Sequence, residues 1–142
     1  MTYRRRPILF RMNTIPFQFD RRIDAGVLYS LYENDYLYIE EIFKTTLKHY
    51  DEDVADFETH HHAGSLEGLK KTAHKIKPVF GFIGMPVLQE NCQAFEDKCA
   101  ATGDIQTIFP DSEKLLHQFK ECKKIIETDL QKLYAYNNTT TE

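Results

Sequence analysis

Nowhere in the 142 positions is there a run of about 18 apolar residues, so no segment reads as a membrane-spanning helix. Met1 to Arg6 is basic, but only short apolar pieces follow and no small-residue cleavage site appears, so a secretory signal is not expected. Cysteine is scarce: Cys92, Cys99 and Cys122 are an odd number without CxxC spacing. That pattern argues against a disulfide framework and for reduced, buried thiols in a cytoplasmic protein. A net basic surface is also missing. The formal charge is −4, whereas nucleic-acid binders need cationic surface to displace counterions from phosphates. Arg4-Arg5-Arg6 and Arg21-Arg22 are local exceptions, read as a solvated basic arm. No glycine-rich phosphate loop exists, so ATP binding is not expected. Period-two alternation never persists and no repeat stands out, which removes the usual signs of sheets and solenoids.

What remains is helical. Residues 1–22, with Pro7, Pro16 and scattered aromatics, read as an extended arm. Asp24 is placed to cap a short helix to about Tyr32, and Asn34 or Asp35 to cap a longer one. In the second segment Ile39, Phe43, Tyr50, Val54 and Phe57 recur on one helical face until His60-His61-His62-Ala63-Gly64 interrupts them. Ser65 opens a third helix with the stripe Leu66, Leu69, Ala73, Ile76, Phe80 and Ile83. Gly84 and Pro86 turn the chain into a fourth, carrying Leu88, Cys92, Phe95 and Cys99. Thr102-Gly103-Asp104 ends it. Pro110-Asp111-Ser112 then opens a last helix that buries Leu115, Phe119, Cys122, Ile126 and Leu133, and 137–142 reads as a frayed polar tail. The expected fold is all-α: an antiparallel four-helix bundle over residues 23–136 with an additional short N-terminal helix or arm.

One face of the third helix carries chemistry. His74 stands one residue past Ala73, on the border of the apolar stripe, and Lys77, Pro78 and Gly81 share its side at 100° per residue. An accessible imidazole with a free ring nitrogen is a competent nucleophile near neutral pH. An ammonium one turn away can offset the charge of a phosphoryl group, and a glycine two turns away leaves room for another surface. Taken alone, the pair is no more than a common feature of a solvated helix. The His60-His61-His62 run, with Glu58 near, offers imidazoles to a metal, but no second pair completes a site, so a solvated loop is expected.

The stretch Ala73 to Gly84 resembles the signature of the histidine-containing phosphotransfer (HPt) domain family. That signature is roughly A-H-x-L-K-G, small residues, then an apolar residue and a glycine ten positions after the histidine. Ala73, His74, Ile76, Lys77, Ile83 and Gly84 fall in register. Leu88, Cys92, Phe95 and Glu96 continue it as L-x-x-x-C-x-x-L-E, so the match covers about 25 residues on two helices. The resemblance implies a phosphocarrier of a two-component phosphorelay without an ATP site, not an enzyme. His74 would exchange a phosphoryl group at Nε2 with a receiver-domain aspartate. Lys77 would screen its charge, and Glu96 would accept a hydrogen bond from Nδ1 and so fix the tautomer. Lys70, Lys71, Pro78 and Gly81 are the expected partner-docking positions. Response-regulator receivers are the expected partners, with a hybrid histidine kinase as a further candidate. Neither nucleic acid nor membrane is expected as a partner. No cofactor of the chain's own is expected, Mg²⁺ being supplied by the receiver.

The chain departs from the family at Pro78, where glycine is usual, and Phe80 and Phe82 are bulkier than the small residues found there. Proline lacks the N–H that would bond the carbonyl of His74, so a kink or a helix break at Lys77 is predicted. A degenerate HPt-like helical adaptor that binds partners without phosphorylation is therefore the alternative reading. A metal-dependent enzyme built on the histidines is a third.

Overall fold

A computed structural model describes residues 16–140. Among the described residues five helices follow one another: α1 (Ala25–Tyr32), α2 (Tyr36–Ala63), α3 (Leu66–Phe82), α4 (Pro86–Thr102) and α5 (Ile105–Thr140). Their starts follow from local hydrogen bonding. Asp24 accepts from the amides of Gly26 and Val27, Asp35 from Tyr38, and Ser65 from Gly68, each relieving orphan donors of a first turn. Of the two candidates for the second cap, Asp35 is the one used. Gly64 ends α2 in the left-handed conformation at φ 66°, where a side chain would be strained. Connections of two or three residues force neighbouring helices to run antiparallel. α3 packs on both α2 and α4, and α5 closes the bundle against α2 and α4. None of the described helices is long and apolar enough to cross a membrane.

The core follows the stripes. Phe43, Phe57, Phe80 and Phe119 are fully buried, with Phe80 stacked on Phe119 at 5.6 Å between centroids and Phe57 edge-on to it at 5.1 Å. Tyr50 donates its hydroxyl to the Phe119 carbonyl at 2.8 Å, and burial pushes its phenol far above the usual range. Cys92, Cys99 and Cys122 are free and buried, as expected of thiols on core stripes. Leu66 is the stripe member that stays half-buried.

Four expectations need correction. The His60-His61-His62 run does not interrupt α2, which continues to Ala63. His61 extends the Val54–Phe57 face at helical spacing and is itself buried. Its Nδ1 lies 2.6 Å from Ser112 Oγ and its ring stacks on Phe109 at 4.4 Å. An imidazole with a polar partner and an aromatic wall can occupy a core position. The last helix opens at Ile105, not at Pro110. The Asp104 carboxylate takes the Gln106 amide and the Thr107 hydroxyl, and Pro110, which has no N–H to donate, costs α5 only the bond to the first-turn carbonyl of Gln106.

Residues 137–140 are not a frayed tail but continue α5. Asn137 is buried, donating to the Tyr36 carbonyl at 3.1 Å and to Glu40 at 2.9 Å. Finally, Pro78 does not break α3 at Lys77, because packing on both flanks carries the helix through to Phe82. Of the N-terminal arm, 1–15 lie outside the described residues. Residues 16–20 have no regular structure and lay Phe17 and Phe19 against Tyr36, Phe43 and Tyr136.

Candidate functional site

α3 reaches the site with Ala73 and Ile76 locked in the core, at 0% and 1% exposure, which fixes the azimuth of His74 between them. The His74 side chain is 70% exposed. On its two sides α3 is tied to different neighbours. Lys75 pairs with Asp53 of α2 at 3.1 Å, while Lys77 turns toward α4. The motif glycine, Gly84, stands at φ 75° and accepts the Asp24 amide at 2.6 Å. An added Cβ there would lie 2.9 Å from the Leu28 side chain, so the turn between α3 and α4 needs glycine.

α4 supplies the groups opposite. Glu96 comes one residue after the buried Phe95 and is itself buried rather than solvated. Its Oε1 is 2.7 Å from His74 Nδ1 and its Oε2 is 2.9 Å from Lys77 Nζ, an off-axis ion pair. A carboxylate can only accept from the imidazole, so Nδ1 carries the proton and Nε2 keeps its lone pair on the far side of the ring. Lys77 Nζ also donates to Gln93 Oε1 at 2.6 Å and stands 3.5 Å from His74 Nδ1, leaving its side chain only 19% exposed. Gln93 in turn donates to Asp97 Oδ1 at 2.8 Å.

The structure therefore brings His74, Lys77 and Glu96 into direct contact across two helices. The expected docking positions surround them on one face of α3. Lys71 and Pro78 are exposed, and Lys70 and Gly81 are half-buried. A Cβ on Gly81 would meet the Gln89 amide of α4 at 3.0 Å, so this glycine is partly occupied by a neighbouring side chain as well as open to solvent. Sequence reading missed Gln93 and Asp97. Their offsets of three residues before and one after Glu96 place them along the same side of α4, and that spacing was the available signal. Among the described residues, no group of three or more His, Cys, Asp or Glu side chains is placed to hold a metal ion.

A family model, the Hpt domain, matches residues 41–133, which hold all three of these residues and most of the bundle. The chain belongs to the Hpt domain family. No curated protein and no solved structure gives a significant match. Hpt domains are helical phosphocarrier modules of histidine phosphotransfer in phosphorelays, working with receiver domains and kinases of two-component systems. In this Hpt domain the matched region runs from α2 into α5, and α1 and the arm lie outside it.

Proposed function

We propose that this Hpt domain accepts a phosphoryl group on Nε2 of His74 from the aspartyl phosphate of a receiver domain, and passes it on or back. The observation that carries the reading is the 2.7 Å contact between Nδ1 of an exposed His74 and a buried Glu96. In the transfer the Nε2 lone pair attacks phosphorus, and the P–O bond to the aspartate breaks. Its electron pair leaves on the carboxylate. The proton on Nδ1 stays in place, so the ring becomes cationic as the N–P bond forms, and the Glu96 carboxylate stabilises that charge. Lys77 offsets the negative charge of the arriving phosphoryl oxygens. Mg²⁺ comes with the receiver, whose acidic site holds it during transfer.

Lys71 and Pro78 are open to a docking partner on the face around His74, with Lys70 and Gly81 beside them. The decisive experiment is His74→Gln incubated with phosphorylated receivers. The variant should take up no acid-labile, base-stable label and should keep the helicity of the wild type. Persistent label of that kind would refute the assignment and turn attention to the other histidines.

A further inference from the structure

We propose that Gln93 is a positioning residue for this reaction: it sets where the Lys77 ammonium stands, and Asp97 sets which way Gln93 faces. The inference rests on the reading of His74 as phosphoacceptor and adds two α4 residues to it. A glutamine amide has an accepting end and a donating end. Here Oε1 takes the Lys77 ammonium at 2.6 Å and Nε2 donates to Asp97 Oδ1 at 2.8 Å. Flipping the amide would set an NH₂ against the ammonium and an oxygen against a carboxylate, two repulsive contacts. Asp97 therefore selects the orientation that binds Lys77.

The consequence falls on the ammonium. Lys77 has a four-carbon stem that loses rotamer freedom when held in one place. Its contact with Glu96 Oε2 is close but poorly aligned, so Glu96 alone holds it loosely. Gln93 supplies the second point of attachment. With one N–H donated to Gln93 and its charge paired with Glu96, the ammonium keeps donor capacity for a phosphoryl oxygen. The charges of Lys77, Glu96 and Asp97 leave the cluster with one net negative charge before an anionic phosphoryl group arrives. A displaced Lys77 would leave that anion facing carboxylates. Gln93 and Asp97 are both exposed, so their hydrogen bonds add little to folding, and their effect on His74 is separable from stability.

The test uses phosphoramidate as phosphodonor, so no partner protein is needed. The Nε2–P bond forms as the P–N bond breaks, and the leaving nitrogen departs as ammonia with its electron pair. Gln93→Leu should slow phosphorylation of His74 about three- to tenfold, the loss of one hydrogen bond to a charged group, with an unchanged melting temperature. In a Lys77→Ala background the same substitution should have no further effect, a dependence that a merely structural Gln93 would not show. The paired change Gln93→Glu with Asp97→Asn keeps the net charge, reverses the donor and acceptor between the two side chains, and should restore the rate.

A wild-type rate in Gln93→Leu would overturn the proposal, and so would an equal loss with Lys77 absent or a failure of the reversed pair to recover. His74→Gln separates the two levels. If it blocks uptake while Gln93→Leu is silent, only the role of Gln93 falls; if it still takes up phosphate at Nε2-type lability, the reading of the site falls with it.

Discussion

Glu96→Gln isolates the electrostatic part of the site. The substitution keeps an oxygen that can accept from His74 Nδ1, so the ring stays oriented, and it removes the negative charge 2.7 Å away. Attack by Nε2 makes the ring cationic, and a carboxylate about 4 Å from that charge stabilises it by about 4 kcal/mol at an effective dielectric of about 20. Two features reduce this value. The imidazole is 70% exposed, which moves the interaction toward the ~1 kcal/mol expected in water, and the Lys77 ammonium at 2.9 Å opposes it.

A net loss of about 1–2 kcal/mol is expected, a rate of phosphorylation roughly five- to thirtyfold lower. Glu96→Leu removes the orienting hydrogen bond as well and should cost about another tenfold. Rapid-quench measurement of phosphohistidine, from a phosphorylated receiver or from phosphoramidate, gives both numbers, and melting curves check that each variant is folded. Rates for both variants within about twofold of wild type would refute the idea that Glu96 acts on the imidazole.

Further substitutions probe the surrounding structure. Gly81→Ala places a methyl against the movable Gln89 amide and removes a helix glycine worth about 1 kcal/mol, so stability should hold or rise, whereas Gly81→Gln should weaken receiver binding without unfolding. A large fall in melting temperature for Gly81→Ala would assign the glycine to packing alone. His61→Ala should destabilise the domain by about 2 kcal/mol in chemical denaturation, by removing one of the two hydrogen-bond partners of the Ser112 hydroxyl and unstacking Phe109; a surface-like loss near zero would contradict its burial.

The thiols give a pH-based check. Burial pushes Cys92 and Cys122 up to about 12 and Cys99 to about 11. At pH 8 only about one in a thousand to one in ten thousand of each is then thiolate, so a disulfide reagent should titrate none rapidly until denaturant exposes all three. Rapid modification in the native state would show that the α4–α5 core opens.

The arrangement of the chain bears on what determines each part of it. The stripes Ile39–Phe57, Leu69–Ile83, Leu88–Cys99 and Leu115–Leu133 are local periodicities, and each became a buried helix face. Asp24 and Ser65 cap the helices they were expected to cap, because a cap acts on amides two or three residues away. Those features, and the spacing of Ala73, His74, Lys77 and Gly84 that resembles the Hpt signature, need nothing beyond neighbours in sequence.

Other features depend on what comes across from another helix. A histidine triplet reads as polar until Phe109 and Ser112 of α5 give His61 a place in the core. Asn137 belongs to a polar tail until the start of α2 presents the Tyr36 carbonyl and Glu40. Pro78 reads as a break until α2 and α4 hold α3 on both flanks. The sequence alone thus determined the helices, their buried faces and the candidate nucleophile, since these follow from periodicity and short-range hydrogen bonds. Only the tertiary structure decided that Glu96 is buried beside His74, and that Gln93 reaches Lys77. Those contacts join residues 16 to 22 positions apart, and their distances are set by how α3 and α4 pack.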